Sequence, residues 1–209
     1  MGPPAGLRPL PRSFYDRSVL EVARDLLGCL VVGREVVVRL TEVEAYGGRD
    51  DPASHAFRGP TPRNAPMFGE SGHLYVYFTY GMHHCANVVA GRTGDASAVL
   101  LRAGEVVAGA PIVRVRRPEG PARDLARGPA RLAKAVGLDL TGNGIDVTQR
   151  NDVLWLAPDG NALSEDIAAG PRVGIRQGTD LPWRLWLAGD PTVSQFRPAS
   201  SRPIVRKAP

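Results

Sequence analysis

Lysine is almost missing from this chain: of 209 residues only Lys134 and Lys207 carry an ε-amine, so nearly all of the 26 basic residues are arginine. A Schiff-base enzyme needs an amine nucleophile, and few are on offer. Cysteine is too scarce for a disulfide-stapled fold; Cys29 and Cys85 stand far apart and are read as reduced thiols. Aromatic residues make up 6% of the sequence, so a local cluster of tyrosines carries information. No apolar run approaches the roughly 18 residues of a membrane helix, and the Pro-rich stretch from Met1 to Pro11 lacks the apolar core of a secretory signal. A cytoplasmic protein without membrane attachment is expected.

The remainder has the composition of a globular domain, 43% hydrophobic and 22% charged with a net charge of +5 and a pI near 9.7. One domain is the default at this length. The basic balance suits a polyanionic partner without requiring one. No internal repeat is visible.

Ser18-Val19-Leu20-Glu21 reads as a capping box and Gly28 as a stop, which predicts a helix at about 18 to 27. β-branched residues around Gly33-Arg34 predict a hairpin whose second strand runs from Val36 to Tyr46. Side chains two apart on a strand share a face, so Glu42, Glu44 and Tyr46 point the same way. Residues 47 to 72, rich in Gly, Pro, Asp and Arg, form a long irregular segment, a type that is usually functional or disordered. Leu74 to Tyr80 is a strand of aromatic and β-branched residues that turns at Gly81-Met82 and returns through Cys85 to Val89, with tyrosines near the tip. A strand is expected at Ala98 to Arg102, then a helix opened by Arg127-Gly128-Pro129 and stopped by Gly137. After a turn at Asn143-Gly144, short strands are expected near Ile145, from Val153 to Leu156 and from Trp183 to Leu187, with the chain frayed beyond Asp190.

A carboxylate buried among aromatic walls is a candidate general base, which singles out Glu44. Spacing alone leaves the alternative that Glu42 and Glu44 lie on a solvated strand face. Further blocks stand in order along the chain: Glu42-Val43-Glu44-Ala45-Tyr46, Ser54-His55, Thr61-Pro62-Arg63-Asn64-Ala65-Pro66-Met67-Phe68, Leu74 through Met82, Asn87, Val99-Leu100-Leu101-Arg102-Ala103, Arg127-Gly128-Pro129, Pro171-Arg172-Val173-Gly174-Ile175 and Pro182-Trp183-Arg184. Together, over about residues 13 to 195, they resemble the alkyladenine (3-methyladenine) DNA glycosylase family, the single-domain type of mammals and many bacteria. Each block is weak alone; their ordered conjunction is specific.

The resemblance implies an α+β fold, a curved, mainly antiparallel sheet with flanking helices and a protruding β-hairpin that inserts into DNA. It implies one domain over 13–195 between flexible segments 1–12 and 196–209, acting as a monomer on double-stranded DNA with damaged purines and needing neither cofactor nor metal. Glu44 would deprotonate the attacking water, which Arg102 and the carbonyl of Val173 help to hold. Tyr46 would stack on one face of the extruded base, His55 with Tyr77 on the other, while Asn87 crowds the purine 2-position. Tyr80 would wedge into the minor groove, and Arg63, Met67, Arg127 and Gly128 would meet the DNA. Two positions depart from familiar members: His83-His84 replaces aromatic residues, and Gly104 stands where a longer side chain is usual.

Each residue also has a plainer reading. Alternating strand tyrosines are often cross-strand pairs, Arg102 could pair Glu105, and Gly128-Pro129 could merely start a helix, although its first-turn amides could also hold a phosphate. His73, His83, His84 and Cys85 raise a metal hydrolase as a rival, but adjacent His83 and His84 point to opposite strand faces. A non-catalytic damage binder is the other rival; it has no use for a buried Glu44.

Overall fold

The β-branched stretch from Leu30 onward pairs with itself across a tight turn and becomes the middle of a sheet. The computed structural model describes residues 6–160 and 166–199. In chain order its elements are α1 (Arg12–Tyr15), α2 (Val19–Leu26), β1 (Leu30–Gly33), β2 (Val37–Tyr46), β3 (Leu74–Thr79), β4 (His83–Ala90), β5 (Ser97–Ala108), α3 (Ala110–Arg116), β6 (Ala126–Arg127), α4 (Pro129–Val136), β7 (Leu154–Ala157), β8 (Ile167–Gly170) and β9 (Arg184–Leu187). The capping box holds α2 as expected, with the Glu21 N–H donating to Ser18 Oγ at 3.4 Å. Gly137, at φ +74°, ends α4 in the left-handed conformation that favours glycine.

The nine strands form one sheet in the order β3-β4-β5-β2-β1-β7, with β6 attached to β5, β9 to β2 and β8 to β9. All of these pairings are antiparallel. The period of two divides the sheet into an apolar face and a chemical face. On the apolar face Val43, Ala45, Leu74, Val76, Ala86, Val88, Val99 and Leu101 join one buried core with Val22 and Leu26 of α2 and Leu132 and Val136 of α4. On the other face the register aligns a row across four strands and onto a fifth: Tyr75 opposite Asn87, Asn87 opposite Leu100, Leu100 opposite Glu44, Glu44 opposite Arg184. The fold is the expected α+β arrangement.

Several local expectations are corrected. β5 runs for 12 residues rather than stopping at Arg102. Ile145 lies in no strand; its neighbour Asp146 makes an isolated bridge to His73. No element was expected over Ala110–Arg116, which forms α3, started by Pro111 and the left-handed Gly109. α1, β6 and β8 had no legible signal of their own. The N-terminal segment is not loose throughout: Leu10 is buried and its N–H donates to the Leu156 carbonyl at 2.8 Å. Nor is the chain frayed beyond Asp190, because residues 192–197 are bonded across the back of the chemical face. Residues 1–5 and 200–209, expected to be flexible, lie outside the described residues.

The β2–β5 ladder shifts register between Leu40 and Glu42 and again between Glu42 and Val43, where Glu42 opposes Ala103. Such irregularities re-aim side chains beside active sites, and this one sits at Glu42 and Arg102. Gly104 explains how the strands close there: a Cβ at this position would stand 2.3 Å from the Arg39 carbonyl oxygen and 2.5 Å from Val38 Cγ1. A longer side chain at this position therefore has no room in this chain. Gly104→Ala should cost about 1–3 kcal/mol of overpacking in urea denaturation; wild-type stability would show that the strands can part freely.

Candidate active site

Two buried carboxylates on one strand need counter-charge, since an unpaired ion in a protein interior is heavily penalised. Glu42 and Glu44 are both fully buried, so the solvated-face reading fails. Arg102 of β5, 5% exposed, serves both acids: its Nε donates to Glu42 Oε1 at 2.8 Å and its Nη1 lies 3.2 Å from Glu44 Oε2. Glu105 is not its partner; Glu105 pairs with Arg39. Arg184 of β9 adds a second cation, with Nε 2.6 Å from Glu42 Oε1. Burial acts to raise the Glu42 carboxyl, but Arg102, Arg184 and the Ser194 N–H hold it below the usual glutamate value. The Arg102 guanidinium is pushed above its ordinary value by Glu44 and Glu42 despite its burial, so it is a permanent cation.

Glu44 differs from Glu42 in its surroundings. Its Oε1 accepts the Val173 N–H at 2.6 Å and its Oε2 accepts the Tyr46 hydroxyl at 2.8 Å. The sequence suggested that Val173 acts through its carbonyl; the observed bond to the acid is made by its N–H. Glu44 forms part of a cleft of about 760 Å³, together with Tyr46, His55, Tyr77, Asn87, Arg102 and Val173. The fold thus gathers every residue assigned from sequence to water or base contact.

The walls are aromatic. Tyr75 and Tyr77 stack with centroids 5.5 Å apart, and His55 meets Tyr77 at 4.6 Å with an interplanar angle of 74°. That angle prevents His55 and Tyr77 from both lying face-on against one flat group; a ring parallel to Tyr77 meets His55 at its edge. His55 Nδ1 is 2.9 Å from the Tyr75 hydroxyl, which leaves Nε2 for the cleft. His55 stands at an open part of the wall, yet the protein around its ring and then Arg63 hold it below the usual histidine value, which favours the neutral ring near neutral pH. Burial first, then Glu44, pushes the Tyr46 phenol up, so it remains a donor. Asn87, 5% exposed, donates through Nδ2 to the Tyr75 carbonyl at 3.1 Å.

Sequence reasoning missed what holds these walls. Arg172 is buried and grips Asp51 through both terminal guanidinium nitrogens, Nη2 lying 2.9 Å from Asp51 Oδ1. Nη1 also donates to the Ala45 carbonyl at 2.9 Å. The guanidinium is over the Tyr46 ring at 4.7 Å and the Trp183 ring at 5.3 Å. It therefore ties the irregular segment after β2 to that strand and places Val173 beside Glu44. The available signal was charge balance: two acids on an inward strand face demand arginines, and Arg172 and Arg184 lie in blocks already singled out.

The residues assigned to DNA are scattered. Tyr80 is 83% exposed at the β3–β4 turn, with φ +52°, followed by exposed Met82. Arg63 donates to the Phe78 carbonyl at 3.3 Å and lies 5.4 Å from the Tyr77 ring centroid. Met67 is only 2% exposed, packs with Tyr75 and Ala98, and lines the cleft itself. Arg127 is occupied within the protein, by the Val193 carbonyl at 2.7 Å and Asp124 at 3.2 Å. Gly128, at φ +110°, precedes α4, whose start has no side-chain cap; Pro129 reaches the cleft. Among the described residues no three His, Cys, Asp or Glu groups come together to hold a metal, and no helix is long and apolar enough to cross a membrane.

The family model described as methylpurine-DNA glycosylase (MPG) matches residues 13–191. A protein of Frankia casuarinae with the curated name "Putative 3-methyladenine DNA glycosylase" is 51% identical over 95% of this chain and 98% of its own. Relatives of the same name from Burkholderia lata and Streptomyces avermitilis are 49% and 47% identical over 88% and 93% of this chain and 90% and 94% of theirs. These likenesses define a DNA glycosylase, a hydrolase of base excision repair. The chain belongs to the methylpurine-DNA glycosylase family.

Burial raises and arginine lowers both Glu42 and Asp51, the arginines prevailing. Each acid thus contributes stability that is complete above its ordinary value, 4.5 for Glu42 and 3.8 for Asp51, and lost as pH falls through the lower folded value. Chemical denaturation should show stability declining across this acid window. Asp51→Asn should be less stable at neutral pH by about 3–5 kcal/mol, because Arg172 is left buried without its charge partner, and should decline less steeply in acid. An unchanged acid slope would remove Asp51 from the account.

Proposed function

We propose that the cleft takes an extruded damaged purine nucleotide and that Glu44 acts as general base for hydrolysis of its glycosidic bond. The observation that carries this reading is the setting of Glu44: a buried carboxylate at the wall of an aromatic cleft, held by Val173 and Tyr46 and balanced by one cation. Water attacks the sugar C1′, the C1′–N bond breaks with its electron pair going to the purine, and the water proton passes to Glu44. Arg102 orients the water and offsets the charge of the acid. The products are a free base and an abasic site in an intact strand.

Tyr46 and Tyr77 supply faces for stacking, and their π-systems favour purines made cationic by alkylation. His55 addresses the base edge through Nε2, and Asn87, locked to the Tyr75 carbonyl, limits the space beside the purine. Neutral lesions such as hypoxanthine and 1,N6-ethenoadenine depend on stacking and hydrogen bonds alone; with 3-methyladenine and 7-methylguanine they complete the proposed range. Tyr80 fills the gap left in the duplex, which offsets part of the few kcal/mol of unstacking. Arg63 and the uncapped start of α4 at Gly128 lie toward the backbone phosphates. A single domain over 13–195 acts as a monomer, in the cytoplasm or at the nucleoid.

A lyase step needs an amine in the cleft. Lys134 lies on α4 and is absent from the cleft wall; Lys207 is outside the described residues. The reading is therefore of a monofunctional enzyme. Glu44→Gln should retain affinity for duplex carrying an alkylated purine while base release falls about 10²–10⁴-fold, and borohydride should trap no wild-type adduct. Near-normal release by the variant would displace Glu44, and a trapped adduct would displace water as nucleophile. Tyr80→Ala should shift the flipping equilibrium toward the stacked base, followed by fluorescence of a base analogue; an unchanged equilibrium would take the wedge role from Tyr80.

A further inference from the structure

The family match ends at residue 191, yet the chain just beyond it runs behind the active-site acids. Ser194 touches three charged members of the site, with a different atom for each strongest contact. Its N–H donates to Glu42 Oε2 at 2.7 Å, its carbonyl accepts from Arg184 Nη2 at 2.7 Å, and its hydroxyl lies 3.3 Å from Arg102 Nη2 and 2.9 Å from Glu42 Oε1. The segment is fixed on both sides of this residue. Thr192 Oγ1 meets Thr41 Oγ1 at 2.8 Å, the Val193 carbonyl accepts from Arg127, and the Arg197 carbonyl accepts the Gly174 N–H at 3.0 Å. Gly174 directly follows Val173, the backbone donor to Glu44.

Resting on the reading of Glu44 as base, we propose that residues 192–197 form a positioning strap for hydrolysis, in which Ser194 and Glu42 together keep Arg102 from closing on Glu44. The three nitrogens of Arg102 are divided among three partners. Nε is held by Glu42, Nη2 by the Ser194 hydroxyl, and only Nη1 is directed at Glu44. Guanidinium and carboxylate otherwise favour a two-pronged pair. Such a pair would cover the acid and commit to Arg102 the lone pair that must receive the water proton. Glu42 cannot take the proton itself: it is fully buried, is not part of the cleft wall, and accepts from Arg102, Arg184 and both donors of Ser194. Its task is to hold Arg102 sideways. The strap supplies two of the donors that make Glu42 rigid, and through Gly174 it also steadies the backbone that binds the other oxygen of Glu44.

The test uses the full chain in four variants beside Glu44→Gln, with single-turnover base release and dissociation constants measured on the same alkylated duplex. Ser194→Thr keeps both donors and should behave as wild type. Ser194→Ala loses the hydroxyl and should slow release; Ser194→Pro loses the N–H as well and, like Glu42→Gln, should slow it by about tenfold or more, as misplacement of reacting groups does. Affinity for the lesion duplex should remain within about twofold across the series, a split between rate and binding that general loss of structure does not produce. If Ser194→Pro or Glu42→Gln prevents folding, the comparison of Ser194→Ala with Ser194→Thr decides. Release at the wild-type rate in Ser194→Ala and the folded stronger variants, or a rate loss matched by an equal loss of affinity, overturns the strap. If Glu44→Gln itself releases base normally, the failure belongs to the reading of Glu44.

Discussion

One cation shared between two buried acids is the constraint around which the chemical face is arranged. Arg102 cannot leave Glu44 without leaving that carboxylate uncompensated in the interior, whereas Glu42 keeps a second cation in Arg184. Its presence lets β2 carry two acids inward, at positions where the period of the strand would otherwise demand apolar side chains. The register shifts at Glu42 and the missing side chain at Gly104 are the backbone's part in this arrangement. They bring β2 and β5 together at the level where the guanidinium must reach two targets. The apolar core on the reverse of the same strands holds that geometry, because Val43 and Leu101 sit opposite one another between Glu42, Glu44 and Arg102 along their strands.

A second buried arginine does for the walls what Arg102 does for the floor. Arg172 joins Asp51 to the Ala45 carbonyl and lies between Tyr46 and Trp183. Long irregular segments carry an entropic cost of ordering, and the one after β2 must present His55 at a defined place. A bidentate pair sealed from water is suited to that, since it fixes direction as well as distance. The same residue therefore positions the Tyr46 ring and, through its neighbour Val173, the hydrogen bonding of Glu44.

The legible parts of the fold are those set by local rules. Ser18 and Glu21 announced α2, Pro129 and Gly137 bracketed α4, and alternation with β-branched residues located β1 to β4. Ala110–Arg116 was illegible because its residues alternate like a strand while Gly109 and Pro111 set a helix start, a conflict that tertiary packing on α4 resolves. Residues 190–199 looked frayed because Pro, Arg and Ser are what loose tails contain; their bonds to Glu42, Arg184 and Gly174 are long-range and leave no local pattern. The cleft residues were found through the ordered blocks. Asp51, Arg172, Arg184 and Ser194 act on other residues of the site, and nothing in strand or turn spacing distinguishes such residues from ordinary polar surface residues.

The scarcity of lysine acquires a physical meaning from these supports. At Arg102 a single side chain must face three directions at once, and at Arg172 two terminal nitrogens must hold both Asp51 oxygens and the Ala45 carbonyl, which a planar guanidinium does and a compact ammonium does not do with fixed angles. Burial also strips protons from lysine far more readily than from arginine, so a lysine at either place would risk leaving the acids uncompensated. It would further introduce beside the cleft the amine that a Schiff-base mechanism requires. Arginine at these sites supplies charge that stays charged and is unsuited to attack on C1′. The support of the acids and the proposed choice of water as nucleophile are thus served by the same side-chain chemistry.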